Sequence, residues 1–215
     1  MATLPKPKPG ERIVASGRTG SGKSVLGKWL LERTHQHWVI FNPKNTKAYA
    51  SLPDANVLNR FHASRVESSI AKHKYTVLNF AGTENNPEFM DQVIQWLHDH
   101  YTNIGIVADE LYTLHSNGRP GPGLVSWLTR GRELKQSFIG LTQRPAWVSR
   151  FVFSEADYIV GMDLTLPEDR KRMRDNTGFD GFLNRLPPHH WRWYDVARDN
   201  DTLWGPVPIS SVKPE

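Results

Sequence analysis

Gly17, Gly22, Lys23 and Ser24 stand in the stretch "GRTGSGKS", residues 17–24. Glycine lets a backbone curl until successive N–H groups point inward, and such a concavity binds phosphate. Thr19, Gly20 and Ser21 fill the loop and belong to the same nucleotide site. A helix starting at Lys23 adds the positive end of its dipole. Lys23 suits the β and γ phosphates, and the Ser24 hydroxyl suits Mg²⁺. A Gly-rich turn beside a surface lysine is the bland alternative. The strand expected before the loop and the helix after it argue against that.

A second cluster ends the apolar run "IGIVADEL", residues 104–111. A carboxylate at a strand tip beside a phosphate loop is placed for the Mg²⁺ shell. Asp109 takes that role, through water, and Glu110 is the general base that polarises an attacking water. Adjacent acids here point to hydrolysis of ATP rather than transfer to a bound acceptor. Gln143 ends the neighbouring strand "SFIGLTQ", where its amide can touch both the terminal phosphate and the water. Arg132 precedes that strand, so it sits at the far edge of the sheet from its own loop. Two readings stay open for it: an arginine finger for a neighbouring subunit's nucleotide, or a solvated arginine at a helix end. Arg130 is the backup.

These residues need a frame to hold them. Apolar strands are expected at 11–17, 37–43, 74–81, 104–111, 137–143 and 157–164. Helices are expected at 23–35, 62–72, 86–101, 124–134 and 167–178, with 44–61 irregular and a loop at 116–123. Strands alternating with helices imply an α/β fold, a parallel sheet covered on both faces. The end, 190–207, reads as a β-hairpin turning at "RDND". The division is a basic arm at 1–10, a core at 11–186, and a hairpin and tail at 187–215 packed on the core.

Composition narrows the classes. The chain has 215 residues, which suits one domain with a sizeable core. Cysteine is absent, so no disulfide framework or Cys-based zinc site is expected, and a reducing cytoplasm fits. No run approaches the ~18 apolar residues of a membrane span. The net charge of +5 favours an anionic partner, nucleotide or nucleic acid. Most of the eight Trp residues are expected in packing roles.

Four stretches in order carry a resemblance: "GRTGSGKS", "FNPK", "IVADE" and "GRELKQSFIGLTQRP". The chain resembles the FtsK/HerA superfamily of ring-forming DNA-pumping ATPases over most of residues 11–164. The Gly-Arg to Thr-Gln-Arg-Pro spacing is the specific element. The resemblance implies a RecA-like P-loop NTPase, ATP and Mg²⁺, and double-stranded DNA threaded through a homo-oligomeric ring, a hexamer or pentamer. Asn42 departs from the pattern, because relatives often carry Asp there. With no anchor, winged-helix module or N-terminal barrel, the chain is most similar in kind to genome-packaging ATPases of icosahedral viruses with an internal membrane. That implies work in the host cytoplasm at a packaging vertex, beside capsid or membrane proteins.

Other classes stay open at this point. They are a zonula occludens toxin-like phage morphogenesis ATPase, a nucleoside or small-molecule kinase, a GTP switch and a non-hydrolysing assembly factor. Candidate DNA contacts are Arg119, the Lys72-His73-Lys74 run and the Lys6/Lys8 arm. The basic run 168–174 reads as a solvated helix face or a subunit contact, and His189-His190 as a loop pair.

Overall fold

The computed structural model describes residues 5–208. Parts of the N-terminal arm and the C-terminal tail lie outside the described residues. The elements in chain order are β1 (Arg12–Ser16), α1 (Lys23–Glu32), β2 (His37–Phe41), β3 (Ala55–Leu58), α2 (Ala63–Lys72), β4 (Tyr75–Leu78), α3 (Pro87–His100) and β5 (Ile104–Asp109). There follow β6 (His115–Ser116), β7 (Arg119–Pro120), α4 (Pro122–Arg130), β8 (Ser137–Thr142), α5 (Arg150–Ser154), β9 (Tyr158–Gly161), α6 (Pro167–Thr177), β10 (Trp191–Asp195) and β11 (Asn200–Trp204).

Among the described residues nine strands form one sheet in the order β11-β10-β9-β1-β8-β5-β2-β4-β3. From β9 to β3 all neighbours pair in parallel. The expected α/β architecture is therefore observed, and the C-terminal hairpin is present. It continues the sheet antiparallel, with β10 on β9.

The strands are apolar nearly throughout because both faces are covered. Within them the pleat still sorts side chains. Trp38 and Ile40 of β2 face the α1 side, while Val39 and Phe41 face the α3 and α4 side. Five of the eight Trp residues are buried, which supports the packing role. Trp147 departs from it, at 53% exposed.

α3 and α4 pack closely because Asp91 caps α4. Its carboxylate accepts the Gly123 and Leu124 N–H groups at 2.9 and 2.8 Å. This satisfies orphan donors of the first turn with a favourable charge. A Cβ on Gly123 would lie 2.3 Å from the Asp91 carbonyl oxygen, a backbone atom that cannot swing aside. Gly123→Ala is expected to lower stability by about 1–3 kcal/mol, measured by urea unfolding.

Several boundaries differ from the sequence reading. β3 lies in the stretch read as irregular, because its pairing with β4 is long-range. α4 stops at Arg130 rather than 134. The Gln136 N–H turns back to the Gly131 carbonyl at 2.8 Å and Lys135 takes φ 55°. The loop at 116–123 contains a tight hairpin. Asn117 and Gly118 both have positive φ, 51° and 73°, the geometry an Asn-Gly turn favours. The terminal turn occupies 196–199, pinned where the Asp195 carboxylate accepts the Arg198 N–H at 3.1 Å.

Candidate nucleotide site

The carboxyl ends of the parallel strands share one edge of the sheet. There β1 delivers Gly17, β8 delivers Gln143, and β5 delivers Asp109 and Glu110. Since β8 lies between β1 and β5, Gln143 falls between the loop and the acids. Chain order reverses around β1, and ligands of open α/β sheets bind at such points.

The loop is held from behind. The Gly17 N–H donates to the Thr142 carbonyl at 3.1 Å, and the Arg18 N–H to the Asp163 carbonyl at 2.9 Å. The Asp163 carboxylate accepts from Arg18 Nε at 2.8 Å and from Arg185 Nε and Nη2 at 2.8 and 2.6 Å. Hydrogen bonds from Arg185, then from Arg18, hold the Asp163 carboxyl well below its usual range. Gly20 and Gly22 take φ 76° and 100°, which glycine adopts without strain. Ser21 is buried in the loop, and Ser24 opens the first turn of α1 beside Lys23.

Lys23 is buried, and its Nζ donates to the Arg18 carbonyl at 3.1 Å across the loop. Burial lowers its pKa to about 8 against the pull of Glu110 and Asp109. Asp109 is pushed up to about 6, by burial first and by Glu110 second, with Lys23 and Lys44 opposing. The wholly buried Tyr49 hydroxyl lies beside Asp109 and Ser24, and burial raises its pKa well above the usual value.

Glu110 is the hub. Its Oε1 accepts from Lys44 Nζ and from Gln143 Nε2, each at 2.6 Å. Gln143 Oε1 in turn accepts from Thr19 Oγ1 at 2.6 Å, tying the acid to the phosphate loop. Glu110 Oε2 is buried and takes no hydrogen bond among the described residues. The backbone of Glu110 is left-handed, φ 75° and ψ 62°. For a non-glycine residue that costs roughly 1 kcal/mol, and such strain collects at functional sites.

Nothing in the stretch "FNPK" marks Lys44 as a partner of Glu110, because the two meet only across the sheet edge. Asn42 explains the presentation of Lys44. Its amide donates to the Asn79 side chain at 2.7 Å and the Thr46 carbonyl at 3.0 Å, and its oxygen accepts from Thr46. An Asp could not donate those bonds. His189, read as half of a loop pair, lies against Gly22, whose Cβ would come 3.6 Å from its Nδ1. With Met162 and Val207 it lines the same ≈ 560 Å³ cleft as Lys23, Glu110 and Gln143.

Arg132 is elsewhere. It follows α4 at the amino end of β8 and pairs with Asp157, which precedes β9. A six-residue strand spans about 20 Å, so Arg132 cannot reach its own loop. Arg130 is also exposed at that end, with Nη2 donating to Ser126 Oγ at 2.7 Å.

A parallel sheet of this order, with a glycine loop and an acidic strand tip at its switch point, defines a P-loop ATPase. The chain is homologous to the DNA packaging ATPase P9 of Enterobacteria phage PRD1. It is 27% identical to that protein over 224 residues, covering 98% of this chain and 93% of the relative. Its structure is similar to that of the genome packaging NTPase B204 of Sulfolobus turreted icosahedral virus 2, solved with ATP-γS. The TM-score is 0.75 at 20% identity, over 93% of this chain and 99% of that one. VirB4 of Thermoanaerobacter pseudethanolicus gives a TM-score of 0.68 at 10% identity, over 93% and 90%. No protein-family model matches the chain.

Proposed function

We propose that this chain is the ATP-hydrolysing subunit of a viral genome-packaging motor, which moves double-stranded DNA through a ring of its copies. The observation that carries this reading is the end-to-end likeness to the PRD1 packaging ATPase, which spans both the phosphate loop and the Glu110 strand. A pentameric or hexameric ring, acting in the host cell at a capsid or membrane vertex, accounts for an arginine placed away from its own site. Among the described residues no helix is long and apolar enough to cross a membrane.

The N–H groups of Thr19, Gly20, Gly22, Lys23 and Ser24, with the Lys23 ammonium, bind the ATP phosphates, while those of Gly17, Arg18 and Ser21 hold the loop in place. Ser24 and Asp109 offer Mg²⁺ a hydroxyl and a carboxylate, the hard oxygen donors it prefers. Asp109 fits that ion, because burial and the adjacent Glu110 charge outweigh Lys23 and Lys44 and lift its pKa to about 6, a cost that a cation would relieve. Mg²⁺ supplies charge neutralisation on the phosphates. The Glu110 carboxylate takes a proton from the attacking water as the water oxygen bonds to the terminal phosphorus and the bond to the ADP oxygen breaks, leaving phosphate and ADP. Gln143 orients that water and reports on the phosphate through Thr19.

Lys23→Met is expected to weaken ATP binding roughly a hundredfold, read by titration with a fluorescent nucleotide. A phosphate partner raises the Lys23 pKa from about 8, so binding takes up a proton. Wild-type affinity therefore falls as pH rises through 8, and Lys23→Met loses that slope.

The reading is tested by ATP turnover with and without duplex DNA. Stimulation by DNA is expected, with inorganic phosphate and ADP as products. Transfer of phosphate to a small acceptor, with turnover indifferent to DNA, would sink it in favour of a kinase.

A further inference from the structure

Beyond the nucleotide cleft, a second groove of ≈ 680 Å³ opens at the same edge of the sheet. Its walls follow the catalytic strands directly. One wall is the turn and hairpin after Glu110, carrying Tyr112 and Arg119. The other is the segment after Gln143, carrying Trp147 and Arg150, with Arg172 reaching in from α6. Among the described residues no Asp or Glu lines it. Arg119 is exposed at the tip of the Asn117-Gly118 turn, and the Arg150 side chain is 70% exposed, at 3.9 Å from Asp175. Arg172 Nη2 donates to the Ala146 carbonyl at 3.0 Å, which turns it into the groove rather than to bulk solvent. Trp147 meets Tyr112 edge-on at 5.6 Å, and the Arg144 guanidinium stacks on its ring at 4.3 Å.

The two walls are tied together and to the hub. The Thr113 N–H and hydroxyl both donate to the Glu110 carbonyl at 2.8 Å, so Glu110 caps the turn that ends at His115. His115 is buried, with Nδ1 donating to the Leu111 carbonyl at 3.1 Å and Nε2 accepting the Ser149 N–H at 3.4 Å. A shift of Glu110 or Gln143 is thus passed to both walls.

We propose that this groove grips the phosphate backbone of the DNA, with Arg119, Arg150 and Arg172 as the phosphate contacts and Trp147 as the apolar surface against the sugars. This rests on the packaging reading above. The groove has the charge, the open shape and the acid-free lining that a polyanion needs, and backbone contacts of this kind carry no sequence preference. The Lys72 and Lys74 candidates lie at the other end of the sheet, before β4, far from Glu110.

The test is anisotropy of a fluorescent 30-bp duplex with the ATP-γS-bound full chain at several KCl concentrations. Each lost phosphate contact should flatten the log affinity versus log salt slope by about 0.9. Arg119→Gln with Arg150→Gln should flatten it by about 2 and weaken low-salt binding at least tenfold, while Lys72→Gln with Lys74→Gln leaves the slope unchanged. Arg119→Glu alone, at an exposed hairpin tip, should weaken binding further than Arg119→Gln, which guards against a folding defect in the double variant. An unchanged slope in the arginine variants beside firm wild-type binding would overturn the groove and leave the packaging reading standing. So would a loss confined to the lysine variants. Wild-type protein that binds no duplex in any nucleotide state would overturn both. Variants that change only the ring mass in light scattering would reassign the groove to contact between copies.

Discussion

Glu110→Gln protein is expected to bind ATP and lose roughly 10²–10⁴-fold in turnover. The substitution keeps the shape and the oxygen that Lys44 and Gln143 share, but removes the carboxylate that accepts the proton. Steady-state hydrolysis and a fluorescent-nucleotide titration separate the two effects. A loss of binding in step with turnover would mean that Glu110 holds the loop rather than the water. The Thr19–Gln143–Glu110 chain makes that a real alternative.

The second large effect falls on Arg132. In a ring with the finger supplied by the neighbour, Arg132→Ala should cost roughly 10³–10⁵-fold in turnover while ATP binding persists. Among the described residues the side chain is anchored by Asp157 alone and is mostly exposed, so its removal should leave the fold intact. Mixing gives the sharper reading. Arg132→Ala and Glu110→Gln subunits are each inert, but a mixed ring pairs an intact Glu110 with an intact Arg132 at some interfaces. Activity should reappear on mixing. If it does not, and Arg130→Ala behaves as Arg132→Ala was expected to, the finger is Arg130.

The local parts of the site were legible in sequence because their signals are local. A glycine loop between an apolar strand and a helix needs only contiguous residues, and so does the acid pair ending "IGIVADEL". What stayed hidden depends on residues far apart in the chain. Lys44 reaches Glu110 across 66 positions, and Arg185 and Arg18 meet at Asp163 only after β9 and β1 pair. His189 and Val207 join the cleft only because the terminal hairpin extends the sheet at β9. The hairpin at Asn117-Gly118 was readable from its turn residues, but the neighbouring prolines and glycines suggested a loop. The 168–174 run looked solvated because charge counts do not show where Arg172 turns. Composition places most tryptophans in packing roles but does not single out Trp147 as the exposed one.

ATP hydrolysis is expected to move this protein along duplex DNA. Displacement of a third strand from a triplex-bearing duplex measures that directly. Wild-type protein with ATP and Mg²⁺ should strip the third strand, while ATP-γS or Glu110→Gln should leave it in place. Third-strand release that is the same with and without ATP, from protein that hydrolyses ATP at full rate, would contradict the account.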